Sequence, residues 1–106
     1  RPCTQTLCVT RLDGTMELRG WSATVRASSS TPKPPVPSDS EVAMIYGSAD
    51  FVNGGASISA SEGAVFKFSF STSSVAAIEV SSGAVTVSLS SAAPVTLTPG
   101  SPFLLQ

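Results

Sequence analysis

The chain has 106 residues, of which 12% are charged and 42% hydrophobic, with no histidine and a net charge of −1. That length suits one domain, or a small domain with an arm, and the low charge with ample apolar content excludes an acidic disordered chain. The 20 Ser and 10 Thr fill polar positions that Lys and Glu usually take, which disfavours a soluble helical bundle and points to β-structure with hydroxyl-coated faces.

The N-terminal stretch holds both cysteines. In one extended strand, Cys3 and Cys8 would lie roughly 16 Å apart at about 3.3 Å per residue, too far for a disulfide. A bridge within the chain would need a tight loop over residues 3–8. The reading preferred from sequence is two free thiols or one bridge to another chain. Two Cys without His cannot supply the four ligands of a usual zinc site, so no metal is expected.

Residues 7–12 and 15–20 flank Asp13-Gly14, a favoured pair for a two-residue hairpin turn. With that turn Leu7, Val9, Met16 and Leu18 share one apolar face, and Leu12 falls on the polar one. Trp21 and the residues up to Val25 are expected to extend the second strand. A hairpin of this size is not stable alone and must bury its apolar face elsewhere.

Residues 28–38 change character, with four prolines between Pro32 and Pro37. Proline removes ladder donors and fixes φ, so an extended polyproline-like connector is expected. Its Pro-x-x-Pro spacing, from Pro32 to Pro35 and Pro34 to Pro37, is commoner in linkers than in peptide ligands. The domain reading is therefore an N-terminal hairpin arm over 1–27, a Pro/Ser-rich linker over 28–40 and a β-sandwich domain over 41–106. The arm is mildly basic: residues 1–33 carry +3 and residues 34–106 carry −4. Five bases spread over residues 1–33 do not make a nucleic-acid footprint.

From residue 41 onward the chain reads as short strands separated by turn residues. Residues 42–46 are apolar and fit a buried strand or one helical turn. Asn53-Gly54-Gly55 is a second hairpin signal. Phe66, Phe68 and Phe70 alternate with Lys67, Ser69 and Ser71; Val85, Val87 and Leu89 alternate with Thr86 and Ser88. Further strands fall near Ile78–Val80, Val95–Leu97 and Phe103–Leu105. This spacing is the signature of a small all-β antiparallel sandwich or barrel, jelly-roll or immunoglobulin-like in size, with a turn at Ser81-Ser82-Gly83. The expected core is Phe66, Phe68, Phe70, Ile78, Val80, Val85, Val87, Leu89, Val95 and Leu97. That core is modest, and oligomerisation is a common way to stabilise such a domain.

Catalytic chemistry finds little footing. Without His, neither a Ser-His-Asp nor a Cys-His arrangement can be built. The carboxylates Asp39, Glu41, Asp50, Glu62 and Glu79 read as solvated charges, and Lys67 as a surface lysine that discourages wrong strand pairing. Trp21 and Tyr46 are the only large amphipathic aromatics, and a glycan site wants several such rings. No run approaches the roughly 20 apolar residues of a membrane helix, and no secretory signal is visible.

These exclusions point to a non-enzymatic structural protein of a large assembly, without catalytic residues, cofactor or metal. A small virion component fits best: a capsid decoration or cement protein, or a tail or fibre module. It is expected on a virion or outside the cell, with protein partners, copies of itself among them, and no nucleic acid or membrane span. Its expected interface residues are Leu7, Val9, Met16, Leu18 and Trp21, carried to another subunit by the arm. The alternatives are a secreted or surface adhesin or pilus-type β-sandwich and a carbohydrate-binding module.

Overall fold

A computed structural model describes residues 7–20, 23–29, 36, 39–70, 76–89, 92–100 and 102–105. Among these residues nine strands follow in order: β1 (Cys8–Arg19), β2 (Thr24–Ser28), β3 (Ser40–Asn53), β4 (Ala56–Ser61), β5 (Val65–Phe70), β6 (Ala76–Ser82), β7 (Val85–Leu89), β8 (Val95–Leu97) and β9 (Pro102–Leu105). All pairings are antiparallel, and the described residues contain no helix. The all-β expectation holds.

The sheet is organised by its long third strand. On one edge, residues 40–43 of β3 pair with β5 and residues 48–53 pair with β4. On the other edge, β1 runs alongside β3 from Arg19 opposite Glu41 to Cys8 opposite Val52. The order β8-β7-β4-β3-β5-β6-β9 results, with β1 and β2 off that path. One half contains β5, β6 and β9 with β2; the other contains β4, β7 and β8; β1 and β3 run through both. Phe51 from one half meets Phe66 from the other edge-on, with ring centroids 5.5 Å apart at 84°. Such T-shaped contacts suit the aromatic quadrupole. The inward faces of both halves therefore share one core.

That core corrects the arm expectation. Leu7, Leu12, Met16, Leu18 and Ala27 are buried in the same cluster as Val42, Phe51, Ile58, Phe66, Phe68, Ile78 and Val85. Asp13-Gly14 does not turn. It continues as strand opposite Gly47-Ser48, and the hairpin instead joins β1 to β2, with Arg19 opposite Thr24 and Thr15 opposite Ser28. Residues 24–28 thus return along β1 rather than extending it. The physical reason lies in the two facing glycines. A Cβ on Gly14 would strike the backbone at Tyr46, and a Cβ on Gly47 would strike the backbone at Asp13. Both take positive φ, 132° and 81°. Glycine alone permits that approach, so here it serves a close crossing of strands rather than a turn.

Two register shifts accompany the crossing, between Val9 and Arg11 and between Thr15 and Met16. The first leaves Thr10 as an extra residue on β1; the second leaves Ile45 extra on β3. A bulge reverses the facing of the residues beyond it. Val9 therefore packs against the core, and Leu12, Met16 and Leu18 are buried in it. A hairpin would place the reversal at Asp13-Gly14 and expose Leu12; the structure places it at Thr10 and buries Leu12.

Of the expected connector, residues 30–35, 37 and 38 lie outside the described residues, but Val36 is described. Val36 is buried and forms a bridge with Leu7, through Leu7 N–H to Val36 O at 3.0 Å and Val36 N–H to Leu7 O at 2.8 Å. A residue expected in a free linker is thus anchored in the core. Asn53-Gly54-Gly55 turns as expected, closing β3 on β4 with Asn53 opposite Ala56. Residues 42–46 are strand. Of the expected core, Phe66, Phe68, Ile78, Val80, Val85, Val87 and Leu97 are buried and Leu89 is partly so. Val95 is exposed on β8, which among the described residues pairs with β7 alone. The side chain of Phe70 lies outside the described residues.

Cys8 is disulfide-bonded, and no described cysteine is a free thiol. The only other cysteine in the chain is Cys3, which lies outside the described residues. The preference for free thiols is therefore corrected for Cys8.

Candidate interaction surface

Alternation along each strand turns one set of residues into the core and the other outward. The pairing registers then fix which outward residues stand side by side. In the half containing β5 and β6, Arg19 stands opposite Glu41, Glu41 opposite Lys67, and Lys67 opposite Glu79. Four adjacent strands thus carry one outward row whose charge alternates in sign. Arg19 Nη1 lies 3.6 Å from Glu41 Oε1. Beside that row, Glu17 accepts from Arg26 Nη2 at 2.7 Å and from Arg19 Nη2 at 3.1 Å. These two guanidiniums hold the Glu17 carboxyl below the usual carboxylate range, the Arg26 hydrogen bond first.

The other half presents a different outward surface. Arg11 stands at the end of a row of Asp50, Ser59, Thr86 and Thr96 across β3, β4, β7 and β8. Arg11 Nε donates to Asp50 Oδ2 at 2.8 Å, and Ser59 Oγ donates to Asp50 Oδ1 at 2.9 Å. Arg11 Nη2 donates to Ser48 Oγ at 3.0 Å. The Arg11 hydrogen bond lowers the Asp50 pKa and raises that of Arg11. In the next row Val52 pairs with Ser57, and Ser57 with Ser88. One outer surface is therefore charged and the other is mainly hydroxyl.

Where the halves meet, β3 presents Ile45 and Tyr46, 44% and 67% exposed. Both sit on strand backbone at the bulge, next to the Gly14–Gly47 crossing. Glu62, on the turn between β4 and β5, accepts from Gly47 N–H at 3.5 Å. An aromatic and an aliphatic side chain are thereby presented to solvent from strand backbone. Val25 is also exposed, on β2, which among the described residues pairs with β1 alone.

The residues expected to meet another subunit are elsewhere. Leu7, Met16 and Leu18 are buried in the chain's own core, and Val9 packs on it. Met16 and Leu18 lie on backbone paired with β3 on one side and β2 on the other, Val9 lies on backbone paired with β3, and Leu7 is bridged to Val36, so reaching a partner would require this segment to leave the sheet. Trp21 lies outside the described residues. Among the carboxylates, Glu41 and Glu79 share a row but are separated by Lys67, whereas Asp50 belongs to the other half. Lys67 is on β5, paired on both sides by β3 and β6, so it does not guard an edge.

The charge row is invisible to a reading of sequence alone. Its members show only as one charge at an outward position of each strand. Which charge stands beside which is a property of the register, and these residues are separated by up to 60 positions. No described helix is long and apolar enough to cross a membrane, and no group of three or more His, Cys, Asp or Glu suited to a metal ion occurs among the described residues. Comparison with protein-family models, curated proteins and solved structures gives no match.

Proposed function

We propose that this chain is a non-enzymatic structural subunit of a large assembly, docking through its outer surface onto other protein subunits and onto copies of itself. A small virion component, a capsid decoration or cement protein or a tail or fibre module, is the form of assembly preferred. The observation that carries the reading is the exposed pair Ile45 and Tyr46, mounted on strand β3 rather than on a loop. Tyr is enriched at protein contacts, where its ring supplies area at low entropic cost and its hydroxyl remains satisfied. Placing it beside two facing glycines pre-organises the anchor, which lowers the entropy lost on docking.

The disulfide at Cys8 favours an oxidising environment, shared by a virion or extracellular location and by the secreted or surface adhesin reading. A carbohydrate-binding module is less supported, since Tyr46 has no second described ring beside it on that surface. The test is a native mass measurement of the protein together with its candidate shell or fibre subunits. The intact chain should bind them, and Tyr46→Ala should lose binding with an unchanged melting temperature. A strict monomer that takes up glycans instead would overturn the reading.

A further inference from the structure

We infer that the outward face formed by β1, β3, β5 and β6 is a self-contact surface, read by a second copy of this chain through the charge row Arg19, Glu41, Lys67 and Glu79. The row has the signs plus, minus, plus, minus, fixed by the registers of three strand pairs. Read in reverse it is minus, plus, minus, plus. A row of this kind is complementary to its own reverse. Two copies stacked face to face about a two-fold axis parallel to the strands, lying between β3 and β5, bring the reversed row over the original. Arg19 then meets Glu79 of the second copy and Glu41 meets Lys67, and each contact occurs twice, as an isologous interface requires.

The surroundings suit such stacking. Strands lie about 4.8 Å apart, so the row spans roughly 14 Å, within reach of Arg and Lys side chains from above. The neighbouring outward positions on β3, β5 and β6 are small or modest in size: Ala43, Val65, Ser69 and Ala77. The large neighbour is Glu17 on β1, whose carboxylate is tied to Arg19 and Arg26. The charge is balanced within the row, so a partner of uniform sign gains nothing from it, whereas a second copy sets an opposite charge over each of the four positions, in addition to the contacts that Arg19 makes to Glu17 and Glu41 within the chain. Exposed ion pairs are individually weak and are screened by salt, so the contact fixes orientation and register more than it supplies affinity. Repetition within an assembly makes a weak self-contact effective.

This inference rests on the assembly reading only for its biological setting; its surface differs from the Tyr46 anchor, and its test is separate. Sedimentation of the purified chain over a range of concentrations should show a dimer at low salt that weakens as salt is raised. In the stacked pair, Lys67→Glu sets carboxylate against carboxylate at both 41–67 contacts, and Glu41→Lys sets ammonium against ammonium there. Each variant alone should raise the dimer dissociation constant by at least about tenfold. Mixing the two should restore a one-to-one dimer, because every position of one row then opposes the other sign. Mixing Lys67→Glu with Thr96→Lys, which adds positive charge to the other half, should not restore it. Melting temperatures identify any variant that fails to fold; in that case Lys67→Gln and Glu41→Gln should each weaken the dimer and flatten its salt dependence. A wild-type chain that stays monomeric at low salt, folded single variants that dimerise normally, or a mixture that fails to recover would overturn the proposal. Any of these leaves Tyr46-dependent docking to other subunits standing.

Discussion

Asp13-Gly14 and Asn53-Gly54 are near-identical signals with opposite outcomes. Each is an acidic or amide residue followed by glycine, flanked by alternating apolar residues. At Gly54 the chain reverses, and a Cβ there would meet nothing within 4 Å. At Gly14 the chain goes straight on, and a Cβ would meet the backbone of the neighbouring strand. A glycine thus marks either freedom at a turn or the close approach of another strand. A hairpin at Asp13-Gly14 would pair residues 7–12 with residues 15–20. Running straight lets residues 8–19, with Thr10 bulged out, pair with β3 and places Leu12 in the core as well. The larger buried surface favours the straight strand.

The largest test of that difference is to add one methyl group at each site. Gly14→Ala combines a positive φ with a collision against backbone, and a loss on the order of 3–5 kcal/mol is expected, a large part of a small domain's stability. Gly54→Ala adds a methyl to open space at φ 58° and should cost only about 1–2 kcal/mol. Denaturant unfolding of the two variants measures the contrast. Similar costs would mean that the crossing at Gly47 is not as tight as described.

A second test uses facing. Leu12→Ala should cost about 2–3 kcal/mol, because Leu12 is buried in the core cluster. Thr10→Ala, at the exposed bulge, should cost under about 1 kcal/mol; its hydroxyl donates to Asp50 O at 3.1 Å at the surface. The hairpin arrangement predicts only a small Leu12 effect, since there Leu12 lies on the polar face. Thermal unfolding of both variants decides the point.

The smallest expected effect sharpens the contrast between the two outer surfaces. Glu17 and Asp50 have lowered pKa values through Arg26 with Arg19 and through Arg11 respectively. A carboxyl lowered in the folded state contributes stability that is fully present above its unfolded value, about 4, and is lost as pH falls through the lower folded value. Melting temperature should therefore decline below about pH 4. Arg11→Gln and Arg26→Gln should each make that acid decline slightly shallower. An unchanged acid profile in both would remove these pairs as contributors; both are exposed, so the effects stay small.

Strand identity was legible wherever polar and apolar residues alternate. Phe66, Phe68, Val85 and Val87 announce their facing locally, because period two is a property of neighbouring residues. The turn at Gly54-Gly55 was legible for the same reason. Val36 was not: a buried residue amid prolines, it is bridged to Leu7, 29 positions away. The candidate surface was legible only in part. Tyr46 stood out as a scarce aromatic, but its exposure depends on the bulge at Ile45, which arises only when β1 pairs with β3.

The amino-acid sequence by itself thus determined an all-β chain, hydroxyl-rich on its outward positions, with the inward placing of Phe66, Phe68, Ile78, Val80, Val85, Val87 and Leu97. Those features follow from local propensity and alternation. The tertiary structure alone decided that β1 belongs to the sheet, that Asp13-Gly14 passes a facing glycine instead of turning, and that four single charges form one row. Each depends on which strand pairs with which and in what register. That choice is set by the summed burial of residues far apart in the chain, and no local pattern records it.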